Sequence, residues 1–405
     1  MSASNTKAGT RASTLESAVE RILSESLDEV RRRQQEAFNR IAGPFADQLI
    51  LFGAGPLGKA TLQGLRKAGV EPLAFADNSE RLLGSEVDGL QVFSASEAAK
   101  RFAQSACFVV TIYNGAAVRR QLNQLGCQRV AHFALLYWKF SDIFVPRSGI
   151  DLPERLRDQL ADVQTCYSVV GDEKSRRQIV EQVIWRYWLD QNALSGPENP
   201  RDTYFPSDLV APNSDDVFVD CGGFDGDTIR SFNEHWDGQF GHLFAFEPDA
   251  KNCARLRANV SAMGINGSVT VTESAVGSLS GKLRFVSMNS AASHAAKADS
   301  AEEVQCCRLD DVQWGEFAPT YIKMDVESAE PDALNGAAEL LRLHRPILAV
   351  CTYHRSEHLW QIPLLIHSIV PEYELFLRRY AEDCWEAVCY AIPQHRLRLA
   401  NGVQG

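Results

Sequence analysis

Apolar residues recur at helical spacing close to the start of the chain. Leu15, Val19, Ile22, Leu23, Leu27 and Val30 predict one amphipathic helix over 15–41, with Arg31-Arg32-Arg33-Gln34-Gln35 on its solvated side. Such a helix needs a surface to cover its apolar face. Either the next domain or the same helix of a second copy, making a homo-oligomer, would supply one. Residues 1–10 are small and polar and are predicted to be disordered.

The pattern changes at Gln48. Leu49-Ile50-Leu51-Phe52 is a short unbroken apolar run, the mark of a strand buried on both faces. The glycine turn Gly53-Ala54-Gly55-Pro56-Leu57-Gly58 follows, then a helix over 59–68. Strands are predicted over 72–76, 87–92 and 108–112, with a helix over 96–101, which makes a small parallel-sheet domain. Residues 145–196 read as mainly helical and close on the breaker Gly196-Pro197-Glu198-Asn199-Pro200. Trp185, Tyr187 and Trp188 are expected to pack as core between domains.

From Tyr204 onward, apolar runs and helical periods alternate. Strands are predicted over 216–220, 243–247, 268–272, 321–325 and 347–351, with an extra one over 282–288. Helices are predicted over 228–236, 250–263, 329–343 and 359–370. Segments 373–378 and 386–391 read as a terminal antiparallel pair. Five parallel strands, crossover helices and a closing hairpin make a doubly wound α/β sheet. Residues 289–301, rich in alanine and serine, read as a mobile loop.

Composition narrows the function. With 405 residues, 45% of them hydrophobic and 23% charged, the chain fits a globular protein of two or three domains. A net charge of −11 disfavours a nucleic-acid partner held through phosphates. No apolar run is long enough for a membrane span, and the N-terminus has no apolar signal core, so a cytoplasmic location is expected. Ten cysteines without zinc spacing are expected to be reduced and mostly buried.

Ligands of an open α/β sheet lie beyond the carboxyl ends of its strands. The first strand of the larger sheet delivers Asp220-Cys221-Gly222-Gly223-Phe224-Asp225-Gly226-Asp227. Glycine lets a ligand approach closely, and the carboxylates suit hydroxyls, an amine or a positive charge rather than phosphate. S-adenosylmethionine has those groups. The second strand delivers Glu247, placed to take both ribose hydroxyls. The third delivers Ser274 and Ala275, small enough to flank adenine. The fourth and fifth deliver Lys323 to Glu330 and Thr352-Tyr353-His354.

The ordered set Asp220, Gly222 and Gly226, then Phe246-Glu247-Pro248, Ala275-Val276-Gly277, Leu309-Asp310, and Ile322 to Glu327 followed by Glu330, resembles the FkbM family of S-adenosylmethionine-dependent methyltransferases. The resemblance spans roughly 204–393. It implies the class I methyltransferase fold, S-adenosylmethionine as cofactor, and O-methylation of a sugar, nucleotide sugar or related metabolite. Asp220, Gly222 and Glu247 are the cofactor contacts it implies, and Gly223, Asp225, Gly226, Ser274 and Ala275 complete the candidate set. Ser328 stands where the family usually has glycine. Asp325 and His354 are candidates for taking the acceptor's proton. A helix cap at Asp325 and a hydrogen-bonded core histidine at His354 are the structural alternatives. Glu327 and Glu330 could join Asp325 around a divalent ion, but an acidic helix N-terminus explains them too, and no metal is expected.

In the smaller domain, Gly53, Gly55 and Gly58 with Asp77 after the second strand fit a nucleotide-binding turn. This stretch resembles the Rossmann-like domains that precede sugar acyltransferases, which implies a nucleotide-sugar ligand whose hydroxyl is presented to the larger sheet. A docking domain without ligand is the alternative. The expected organisation is a tail and helix over 1–45, a Rossmann-like domain over 46–145, a helical connector over 146–203, and the methyltransferase domain over 204–405. Two other functions fit parts of the chain: an NAD-linked oxidoreductase built on Gly53–Gly58, and a non-catalytic nucleotide-sugar-binding assembly protein.

Overall fold

A computed structural model describes residues 14–265, 268–286, 294–295 and 302–398. The chain divides into two compact units. One runs to Gln164 and adds Arg177–Ser195; the other comprises Thr165–Arg176 and everything from Gly196. The expected segment 146–203 is thus apportioned between both. Among the described residues, no helix is long and apolar enough to cross a membrane.

The first unit is built on a sheet of β1 (Leu49–Phe52), β2 (Ala74–Asp77), β3 (Glu86–Val87), β4 (Leu90–Ser94), β5 (Cys107–Val110) and β6 (Val130–His132). Its order is β3-β4-β2-β1-β5-β6, and only β3 runs antiparallel to its neighbour. The single strand predicted over 87–92 is in fact a hairpin. Asp88 and Gly89 both have positive φ, 48° and 83°, as a tight two-residue turn requires.

The predicted helix over 15–41 is two helices, Leu15–Ser24 and Leu27–Ala42. Ser26 breaks it with a capping box: its hydroxyl accepts from the Glu29 N–H, and the Glu29 carboxylate accepts from the Ser26 N–H at 2.8 Å. Nor is 31–35 wholly solvated. Gln34 is buried with Val30 and Phe38 and donates to Trp138 O, and Arg33 donates to Tyr187 O at 2.7 Å. The aromatic trio belongs to this packing, within the first unit. Trp185 and Tyr187 are fully buried in the first unit, and the Arg21 guanidinium lies 4.2 Å over the Trp188 ring.

The second unit has two sheets. Its main sheet begins with β7 (Val217–Cys221), β8 (His242–Phe246) and β9 (Val269–Thr272). A small sheet follows, with β10 (Ala275–Val276), β11 (Gly281–Val286), β12 (His294–Ala295) and β13 (Glu302–Cys307). The main sheet resumes with β14 (Tyr321–Met324), β15 (Ile347–Cys351), β16 (Tyr373–Arg379) and β17 (Ala387–Pro393). Its order is β16-β17-β15-β14-β7-β8-β9: five parallel strands closed by an antiparallel pair. Strand order reverses between β7 and β14, where the sheet's crevice opens.

Sequence reading anticipated one extra strand where the small sheet lies. The segment 289–301 falls outside the described residues apart from His294 and Ala295, which pair with β11. The predicted helix over 329–343 is two pieces, Glu330–Asn335 and Ala338–His344. The Asp310 carboxylate starts the second by accepting from Leu340 N at 2.9 Å. An aromatic stack, with Phe218 on Phe232 at 4.4 Å and Phe232 on Trp236 at 4.2 Å, packs behind β7. All ten cysteines are free thiols; Cys306 and Cys307 are partly exposed and the rest buried.

Candidate active site

β7 is apolar and fully buried up to Asp220, then turns at Gly222. Gly222 has φ 83°, and a Cβ there would lie 1.9 Å from Asp325 O, so no other residue fits without moving backbone. The Gly222 and Gly223 amides both donate to Phe246 O, at 2.9 and 3.0 Å. Gly226, φ 88°, opens the helix Asp227–His235. Phe224 donates its N–H to Glu247 Oε2 at 2.9 Å. Glu247 Oε1 accepts from Asp249 N at 2.9 Å. The glycine turn and Glu247 therefore face each other, with the carboxylate 5% exposed and its ordinary range raised by burial. Asp225 is half-buried, and its carbonyl accepts from Asn259 Nδ2.

Asp220 is fully buried. Its Oδ1 accepts from Lys323 Nζ at 2.9 Å, and the same ammonium donates to Gly222 O at 2.7 Å. Asp220 Oδ2 has no partner among the described residues. Burial pushes the Asp220 carboxyl up to about 6 even though Lys323 pulls it down. Burial opposes the charge on Lys323 as well, but Asp220 and Asp325 hold its ammonium above the ordinary lysine range.

Ser274 and Ala275 sit where the chain leaves β9 for β10. Ser274 N and Glu247 N share Thr272 O, at 3.0 and 3.2 Å, so Ser274 is placed beside Glu247. The Ala275 carbonyl is turned inward and accepts from Ser274 Oγ.

The acidic end of β14 lies against the turn, with Asp325 N donating to Cys221 O. Asp325 does not cap the following helix, which starts at Glu330 without a side-chain cap. Its Oδ2 accepts from Tyr204 OH at 2.8 Å, and its Oδ1 lies 3.3 Å from His354 Nε2. His354, 8% exposed, donates from Nδ1 to buried Glu330 Oε1 at 2.8 Å. Burial opposes ionisation of Asp325, yet His354, Lys323 and Tyr204 hold it well below the usual carboxylate range. Burial also disfavours charge on His354, but Glu330 and Asp325 raise it well above the usual range. Glu327 and Glu386 are each pushed up to about 7, chiefly by burial. Tyr204, Phe224, Glu327, Ser328 and Glu386 are all non-glycine residues with positive φ, from 44° to 83°. Strain of this kind collects where a fold holds side chains for function.

Residues 220–384 match the methyltransferase FkbM domain. The chain carries an FkbM methyltransferase domain. A crystal structure of methyltransferase FkbM from Methylobacillus flagellatus KT superposes with a TM-score of 0.72 at 20% identity, covering 93% of this chain and 98% of that one. That likeness shows the fold. An rRNA methylase from Streptococcus thermophilus gives 0.31 at 11% identity, over 49% of this chain and 100% of its own. A precorrin-6y C5,15-methyltransferase from Geobacter metallireducens GS-15 gives 0.29 at 13% identity, over 48% and 86%. No curated protein matches the sequence. The hydride-transfer and assembly-protein readings gain no support from these matches.

Tyr204 is a site residue that sequence reasoning missed, and Lys323, delivered to the same sheet edge, was given no role there. Lys323 carried a signal: a lone lysine inside the buried run Tyr321-Ile322-Lys323-Met324 demands a carboxylate. Tyr204 lies just before the matched segment and 121 positions from Asp325, with no local signal.

The glycine turn of the first unit lies outside the FkbM domain. The turn and Asp77 do meet: Asp77 Oδ2 accepts from Ala54 N and Oδ1 from Ser79 N, both at 2.8 Å. Its two oxygens thus brace its own loop. A Cβ on Gly58 would lie 1.8 Å from Gly53 O, whereas at Gly55 the space is open. Pro56 occupies the first position of the helix Pro56–Lys67, where its missing N–H costs nothing.

Proposed function

We propose that this protein is an S-adenosylmethionine-dependent O-methyltransferase acting on a hydroxyl of a sugar, nucleotide sugar or related metabolite. The Phe224 to Glu247 hydrogen bond carries this reading, because it closes the glycine turn onto the acid of the next strand where strand order reverses. The unpartnered Asp220 Oδ2 fits a cationic ligand, since a buried carboxylate oxygen without a donor is costly. S-adenosylmethionine, when bound, supplies a methyl group on a positively charged sulfur.

The chain's own residues then have distinct tasks. Glu247, fixed by two backbone amides, offers its remaining lone pairs to ribose hydroxyls. Gly222, Gly223 and Gly226 keep side chains out of the way, Asp220 and Asp225 supply negative charge, and Ser274 and Ala275 leave room for a flat base. Asp325 and His354 mark where the acceptor hydroxyl is held and loses its proton. Alignment of acceptor with donor contributes most, and positioned proton removal adds about 10²–10⁴-fold. Transfer of labelled methyl from S-adenosylmethionine to a panel of sugars and nucleotide sugars tests the acceptor class. Transfer to amines but to no hydroxyl compound would overturn it.

For the first unit we infer a nucleotide or nucleotide-sugar ligand, supported by the open face of Gly55 and the uncapped start of the helix Pro56–Lys67. A melting-temperature rise with a nucleotide sugar, abolished by Gly55→Val, is expected. No shift with any nucleotide sugar removes this reading.

A further inference from the structure

The edge formed by β14 and β15 holds more carboxylate than removal of one proton needs. Asp325, Glu327 and Glu330 surround a single imidazole, and the donor atoms of Asp325, Glu330 and His354 all lie within 4.8 Å of one another. Glu330 is fully buried and already committed: its Oε1 accepts from both His354 Nδ1 and Val326 N. That fixes the imidazole and turns Nε2 toward Asp325 Oδ1 at 3.3 Å and Glu327 Oε2 at 3.7 Å. The histidine is more than nine-tenths buried, and its Nε2 meets both carboxylates at ion-pair distance.

Those separations are long for a charge-assisted hydrogen bond, which runs about 2.7–2.9 Å. They are close to the spacing of donors that share an ion. Nitrogen and oxygen ligands at about 2.0–2.2 Å from a metal lie roughly 3–3.5 Å from each other. The supports behind the donors have the matching form. Glu330 holds the far nitrogen of the imidazole, and Tyr204 OH holds the far oxygen of Asp325 at 2.8 Å. Glu327 is presented by a backbone at φ 51°, and its side chain, like that of Asp325, is about a quarter exposed.

We propose that His354 Nε2, Asp325 Oδ1 and Glu327 Oε2 bind one divalent first-row transition-metal ion, with Glu330 and Tyr204 orienting the ligands from behind. One imidazole with two carboxylates suits manganese or zinc better than calcium or magnesium, which favour all-oxygen sites. The ligands bind a metal in their deprotonated forms, so any proton on Nε2 leaves as the ion enters. On the methyltransferase reading, the ion would take the acceptor's hydroxyl oxygen at a remaining coordination position and favour its ionisation, the proton leaving to solvent, while Asp325 and His354 would hold the ion rather than take the proton themselves.

The test uses the full chain, stripped with chelator and titrated with Mn²⁺ by calorimetry and electron paramagnetic resonance. One equivalent is expected to bind. His354→Gln and Glu327→Gln are each expected to weaken binding at least about tenfold, with circular dichroism unchanged. Glu327 is partly exposed, so its variant keeps the test valid if His354→Gln fails to fold. Absence of saturable binding near one equivalent, or Mn²⁺ affinity unchanged in the folded variants, overturns the site. S-adenosylhomocysteine binding measured on the same stripped protein separates the two readings. Retained nucleoside binding without Mn²⁺ binding removes only the ion, whereas loss of both removes the methyltransferase reading as well.

Discussion

Lys323 and Asp220 are register partners on the neighbouring parallel strands β14 and β7, and their side chains meet at 2.9 Å with 2% and 0% exposure. The pair ties the acidic strand end to the glycine turn, because Lys323 also holds Gly222 O. Breaking a buried pair by removing one partner costs about 3–5 kcal/mol, whereas replacing both by apolar groups of similar volume is often neutral. Lys323→Met alone should therefore lower the urea midpoint sharply. Lys323→Met combined with Asp220→Leu should recover most of that loss while abolishing S-adenosylhomocysteine binding. Additive losses in the double variant would contradict the pairing.

Gly222 and Ser328 make a matched test of backbone strain. Ser328 occupies φ 83°, where a side chain costs about 1–2 kcal/mol. Ser328→Gly should raise the melting temperature, and an unchanged or lower value would show that the serine is not strained. Gly222→Ala should do the reverse and more severely, since its Cβ would meet Asp325 O at 1.9 Å. A loss beyond the roughly 1 kcal/mol typical of point substitutions is expected on chemical unfolding.

The pH dependence of ligand binding follows from Asp220. Burial places its folded carboxyl near pH 6, above an unfolded value near 3.8. Above about 6 the group is ionised and attracts the ligand's ammonium. Below that it is protonated and the attraction is lost. The Kd for S-adenosylhomocysteine should rise as pH falls from 7 to 5. In Asp220→Asn binding should be weak already at pH 7 and change little down to pH 5. An equally steep profile in the variant would assign the dependence elsewhere.

The break at Ser26 is open to a simpler test. Substituting Ser26 by alanine removes the side-chain acceptor for the Glu29 amide and should cost about 0.5–2 kcal/mol. Glycine at the same position should cost a few tenths. Equal effects of the two substitutions would argue that the capping box does not set the second helix.

Most of the main sheet was legible because most of its strands are short apolar or alternating runs with their own local signal. The turn at Gly222 and the acid at Glu247 were legible for the same reason: each ends a recognisable strand. What escaped depends on which strands are neighbours. Lys323 finds Asp220 only because β14 lies beside β7, a pairing across 103 positions. Tyr204 reaches Asp325 across 121 positions from an irregular segment. The N-terminal break was written locally, in Ser26 and Glu29. Leu23 and Leu27, four residues apart, carry the helical period straight across it and conceal it. The hairpin at Asp88-Gly89 was likewise visible as a turn dipeptide but was absorbed into one apolar run. In the small sheet β11 left a local signal, but β10 and β12, two residues each, are too short to leave a periodic trace.

Calorimetric titration of S-adenosylhomocysteine into the full chain and into Glu247→Ala addresses the central geometry most directly. One equivalent should bind to the natural chain, and the variant, which loses the carboxylate facing Phe224 N–H, should bind at least about tenfold more weakly, the cost of a charged hydrogen bond or more. No binding to the natural chain, or equal affinity in both proteins, would contradict a nucleoside site between the glycine turn and Glu247.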